Sequence, residues 1–147
     1  DHDQSLFVEL KQKISDLNLT RTVSLEGVIA NDRMPEMLNS ADLYVNASTG
    51  PSALDKSVLE AMACELPVIS CNPKFRPLFK DYESLLYCPS NKAQLLAGKI
   101  EDIFALSPKE RNKIGNSLRS VVVEDHDVNR LMDRVVQIFK NFSTEQS

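Results

Sequence analysis

Leu6, Leu10, Ile14 and Leu17 recur at helical spacing, so the chain opens on an amphipathic helix that ends near Asn18. The period then changes. From Thr22 to Ile29 the segment TVSLEGVI alternates and is rich in β-branched residues, which predicts a strand stopped at Gly27. Asp32 can cap a short helix through Leu38, with Pro35 tolerated in its first turn. DLYVNA reads as a second strand, buried on at least one face. DKSVLEAMACE predicts a helix with Val58, Leu59 and Met62 on one side, and LPVISC supplies the next apolar run of strand length.

A weak helical turn follows at Pro77 to Lys80, and SLLYC predicts a fourth strand. Leu95, Leu96, Ile100, Ile103 and Phe104 mark another helix. Ser107, Pro108 and Glu110 then combine an N-cap, a Pro at the first helical position and a capping-box Glu. Val128, Leu131, Met132, Val135, Ile138 and Phe139 define the last helix, ahead of a polar tail. Strands alternating with helices predict an α/β domain with a mainly parallel sheet. Ligands of such sheets gather at the carboxyl ends of the strands, here Gly27 to Ile29, Ala47 to Ser52 and Ser70 to Asn72.

Composition narrows the function classes. The 147 residues show no internal repeat, low-complexity segment or linker, so residues 1–147 read as a single domain. Hydrophobic residues at 42% and charged residues at 26% are those of an ordinary globular protein, and no apolar run nears the roughly 18 residues a membrane span requires. A net charge of -4 argues against a broad nucleic-acid surface, whose affinity comes from clustered Lys and Arg. Cys64, Cys71 and Cys88 have neither the number nor the spacing of a disulfide framework or a zinc site, and a reducing compartment is the simplest reading. N-x-[ST] triplets at Asn18, Asn46 and Asn141 are read as chance. Glu124, Asp125, His126 and Asp127 precede an amphipathic helix, where they read as caps rather than a metal cluster.

The stretch TGPSALDKSVLEAMA, from Thr49 to Ala63, carries the candidate chemistry. A loop between a strand and the start of a helix presents unpaired N–H groups at the ligand face, and with the helix dipole these suit an anion such as phosphate. Gly50, Ser52 and Ala53 allow close approach, and Lys56 can add a point charge. The same residues also admit a purely structural reading, in which Asp55 or Ser57 caps the helix and Ser57 forms a capping box with Glu60.

GVIANDRMPEMLNSADLYVNAS followed by DKSVLEAMACELPVISCN resembles the carboxyl-terminal, donor-binding domain of retaining GT-B glycosyltransferases, the glycosyl transferases group 1 family. The likeness runs in order over nearly the whole chain, and VLEAMAC-x-LPVI is its specific part. It implies a Rossmann-like parallel sheet flanked by helices. It assigns Glu60 to a family glutamate that accepts hydrogen bonds from the ribose hydroxyls, which one ionised carboxylate can do for two neighbouring hydroxyls. An earlier glutamate of the family contacts the transferred sugar. Ser52 stands at its position and cannot supply the charge, which leaves Asp55 as a candidate substitute. Glu65 replaces a frequent Gly at the helix end, a strained choice if that backbone is left-handed. The resemblance also implies that Gly27 and Val28 border the base, and that Thr49, Gly50 and the helix start at Lys56, Ser57 and Val58 border the diphosphate.

The function so implied is the donor-binding part of a glycosyltransferase that moves a sugar from a nucleoside diphosphate sugar, such as a UDP-sugar, to an acceptor with retention, without a metal or separate cofactor. In the family, two further strands carry basic residues for the leaving diphosphate, and an amino-terminal domain binds the acceptor. An isolated chain without them is expected to bind donor and not to catalyse. The strand from Thr22 to Gly27 would lack its inner neighbour, which predicts an altered sheet edge or self-association there. A noncatalytic interaction module from a degenerate or truncated glycosyltransferase is the alternative, and an epimerase on the same scaffold would share the donor site. The cytoplasm is the expected compartment, with a peripheral membrane place left open for a full-length enzyme.

Overall fold

The computed structural model describes residues 2–50, 53–89 and 92–144. It divides into two compact units, Asp1–Met34 and Pro35–Ser147. In the first, helix α1 (His2–Asp16) matches the expected amphipathic segment, and Asn18 turns the chain out of it with a left-handed φ of 56°. The strand expected at Thr22 to Ile29 does not form. The Thr22 and Val23 amides donate back to the Leu19 carbonyl, and residues 23–30 lie in no helix or strand. Alternation and β-branching give only a preference, which becomes a strand when a neighbour supplies a ladder. A short 3-10 turn at Asn31–Arg33 has Ala30 at its N-cap, so Asp32 lies inside the turn and does not cap it as expected.

Helix α2 (Met34–Asn39) leads to β1 (Tyr44–Asn46), α3 (Lys56–Ala63) and β2 (Val68–Ser70). The two strands pair in parallel, Tyr44 against Val68 and Asn46 against Ser70, with α3 as the crossover. This is the expected strand–loop–helix–strand unit. The wholly buried side chains of Val68 and Ile69 on β2 and of Val58, Ala61 and Met62 on α3 form the centre of the core, each such burial contributing roughly 1.5–3 kcal/mol for the larger residues.

The chain then makes a 3-10 segment at Pro73–Tyr82, which buries Phe75 and Phe79 with their rings 6.2 Å apart. The fourth strand expected at SLLYC is instead a turn of helix, α4 (Glu83–Leu86), followed by a single parallel bridge from Tyr87 to Ser70. At Ser84, Leu85 and Leu86 the expectation of a strand has only an apolar run behind it, which does not distinguish a strand from a short helix. Helices α5 (Ala93–Ala105), α6 (Pro108–Asp125) and α7 (Val128–Thr144) complete the chain. The Ser107–Glu110 capping box at the start of α6 is present in both directions. Asp127 accepts hydrogen bonds from the Asn129 and Arg130 amides, so it caps α7 as expected. No described helix is long and apolar enough to cross a membrane.

The position of α3 is fixed from its far end. Glu65 has a φ of 59°, its N–H donates to Met62 and the Leu66 N–H donates to Ala61, which together make a Schellman turn with Glu in the place usually held by Gly. Arg119 on α6 donates to the Ala63 carbonyl, one of the acceptors left without a helical partner. Gly115 on the same helix lies against the Glu65 backbone. The amino end of α3 is thereby held at the carboxyl ends of β1 and β2.

Candidate functional site

The loop from Ala47 to Asp55 connects the carboxyl end of β1 to α3, and the site is built where it meets the residues following β2. Asp55 has the extended backbone of an N-cap, φ −70° and ψ 120°, but its side chain makes no capping hydrogen bond. Ser57 lies inside the helix and no capping box joins it to Glu60. Neither residue makes the contact that a purely structural role as a cap requires.

The Asp55 carboxylate is held elsewhere. Its Oδ2 accepts from Asn46 Nδ2 at 3.1 Å and from Asn72 Nδ2 at 3.2 Å. An N-cap bond and an amide bond to the carboxylate are both charge-assisted, so one amide would only balance the helix end, and it is the two together that hold Asp55 away from it. Both amides are themselves anchored. Asn72 is 1% exposed, its Nδ2 also donates to the Ala53 carbonyl, its Oδ1 accepts from the Lys74 N–H and its own N–H donates to Ser70 Oγ. Asn46 Oδ1 accepts from the Ser48 N–H at 3.0 Å.

With Asp55 drawn aside, its carbonyl still accepts from the Val58 and Leu59 N–H groups, the ordinary start of a helix. The Lys56 and Ser57 N–H groups have no acceptor among the described residues. They are the donors left at the positive end of the α3 dipole. Lys56, at the first helical position, places a cation where the dipole disfavours one. Its Nζ lies 3.2 Å from Glu60 Oε1, with the two side chains 80% and 36% exposed. The expected approach of Lys56 to a phosphate thus competes with a pair to Glu60, worth only a few tenths of a kcal/mol at such exposure.

The remaining expected site residues divide clearly. Thr49 is exposed and Gly50 half-buried in the same loop, while Ser52 lies outside the described residues. Val58 is wholly buried, so only its backbone faces the helix start, and its N–H is already bonded to Asp55. Gly27, with φ 68°, and the fully exposed Val28 belong to the first unit and are described apart from α3. Asn72 falls within the strand end from Ser70 to Asn72 where ligands are expected but is given no role there, and Asn46 is not selected. The available signal is an Asn at or just past the end of each apolar strand, where the ligands of such sheets bind.

Two other features lie away from this end. A cavity of about 240 Å³, lined by Asp42, Cys64, Leu66, Pro67 and Arg111 among others, opens at the amino ends of the strands. Cys71 and Cys88 are buried side by side just past β2 and the Tyr87 bridge, and burial together with the neighbouring thiol pushes Cys71 up to about 11. A protonated, buried thiol is a packing element rather than a nucleophile.

The family described as Glycosyl transferases group 1 matches residues 3–121. No curated protein and no solved structure matches the chain. The matched range includes both strands, α3 and the Asn46–Asp55–Asn72 cluster, and stops inside α6.

Proposed function

The chain belongs to the glycosyl transferases group 1 family, and from that premise we propose that it binds the nucleoside diphosphate sugar used as donor in glycosyl transfer. The observation that carries the proposal is the amino end of α3. It stands at the carboxyl ends of two parallel strands, with the Lys56 and Ser57 N–H groups lacking acceptors among the described residues and the neighbouring carboxylate held aside. A diphosphate is the ligand such donors and dipole favour.

In this reading Thr49, Gly50, Lys56, Ser57 and the backbone at Val58 border the diphosphate, and Glu60 accepts from the ribose hydroxyls. Ser52 or Asp55 faces the transferred sugar, and in the second case a carboxylate oxygen can accept from a hydroxyl. The sugar passes to an acceptor held by the other domain of a two-domain enzyme, with retention at the anomeric carbon. UDP is the first nucleotide to test, and the cytoplasm is the proposed compartment.

Calorimetric titration with UDP and GDP tests the reading. Saturable binding of either supports it, and no binding of either favours the second reading, an interaction module. That second reading draws on residues 23–30, which lie in no helix or strand, and on β1, which has no second neighbour among the described residues. Self-association through Thr22 to Gly27 would appear as a concentration-dependent mass in light scattering.

A further inference from the structure

We infer that Asn46 and Asn72 are positioning residues of this site: their side-chain amides clamp the Asp55 carboxylate off the amino end of α3, which leaves the helix N–H groups to the diphosphate. The inference rests on the donor reading and adds the device that makes it workable. An Asp in N-cap backbone geometry ordinarily turns its carboxylate onto the N–H of the second or third helical residue. Here that would set a negative charge on the donors a phosphate needs. Asp55 has the backbone geometry and not the bond.

The clamp is built from both strands. Asn46 is the last residue of β1, and Asn72 follows β2 by two positions, so their amides meet at the point where the loop crosses the strand ends. Asn72 is fixed on every polar atom of its side chain. Nδ2 is shared between Asp55 and the Ala53 carbonyl, and Oδ1 is taken by the Lys74 N–H. It therefore sets the loop at Ala53 and the carboxylate at Asp55 together, and neither amide can turn away without losing its other partner. The same clamp leaves the Asp55 carboxylate at the strand ends, where a sugar hydroxyl would meet it.

Titrating the full 147-residue chain with UDP tests the clamp through paired variants. Asn72→Ala is expected to weaken UDP binding about tenfold, since the freed carboxylate gains an N-cap interaction that the ligand must displace. Adding Asp55→Ala to Asn72→Ala is expected to tighten binding several-fold relative to Asn72→Ala alone. A double variant as weak as the single one would show Asn72 to be merely structural and overturn the inference. Asn46→Ala, at a half-buried position, goes through the same pair of measurements and decides the question if the chain does not fold without Asn72. Amide exchange without ligand separates the clamp from the donor reading. The Ser57 N–H should gain protection in either Asn→Ala variant and lose it again when Asp55→Ala is added. Unchanged exchange overturns the clamp. The stated exchange pattern in a chain that binds neither UDP nor GDP upholds the clamp and overturns the donor reading.

Discussion

A Cβ placed on Gly115 would lie 1.8 Å from the Glu65 carbonyl oxygen. The middle of α6 thus packs directly on the turn that ends α3, and a glycine that costs about 1 kcal/mol in helix propensity is what permits the approach. Gly115→Ala is expected to destabilise the chain by about 3 kcal/mol, read as a fall in urea midpoint, because backbone rather than a movable side chain is in the way. Glu65→Gly should act in the opposite sense, by about 0.5–1 kcal/mol, since it relieves a left-handed non-glycine residue and gives up only a half-exposed pair to Arg119. It should not rescue Gly115→Ala, because the obstructing atoms are backbone.

The α6 capping box predicts a pH dependence. Hydrogen bonds from the Ser107 hydroxyl and N–H hold the Glu110 carboxyl below its ordinary range. A carboxyl lowered on folding contributes stability that is present above its unfolded pKa and is lost as pH falls through the folded value. Wild type and Glu110→Gln should therefore differ in thermal midpoint at pH 6 and converge toward acid. A constant difference down to pH 2 would contradict the box as the cause.

The cysteines should separate by reactivity. Cys64 is half-buried, whereas Cys71 and Cys88 are buried, and burial with the neighbouring thiol raises Cys71 to about 11. At pH 8, iodoacetamide should modify Cys64 first, and Cys71 and Cys88 only on unfolding, as read by peptide mass. Rapid native labelling of Cys71 would contradict the packing beside β2.

Lys56 opposes the α3 dipole and forms only a surface pair with Glu60, so stability gives it little reason to be there. Lys56→Ala should leave the stability within about 0.5 kcal/mol of wild type and weaken UDP binding several-fold, with the difference shrinking as salt rises. Equal UDP affinity at low salt would remove Lys56 from the site.

The elements legible in the sequence are those whose signal is local. The Ser107–Glu110 box, the helix at Lys56–Ala63 and the apolar runs of β1 and β2 depend on neighbours a few residues away. Thr22 to Ile29 and SLLYC mislead because strand formation depends on a partner that the segment itself does not specify. Glu65 is legible as a residue of the wrong type for a left-handed turn, and its φ of 59° agrees with that reading. The Asn46–Asp55–Asn72 cluster is not legible, because its members are brought together only by strand pairing and the α3 crossover. Asp55 looks like a cap from sequence for the same reason: its competing partners lie 9 and 17 residues away.

The most direct test of the donor reading compares UDP with 2′,3′-dideoxy-UDP on wild type and Glu60→Ala. If Glu60 accepts from the ribose hydroxyls, Glu60→Ala should weaken UDP about tenfold or more and leave the dideoxy analogue within about twofold, because the lost interaction is a charged hydrogen bond that the analogue never makes. Equal losses for both nucleotides, or no loss for UDP, would contradict the assignment of Glu60 to the ribose.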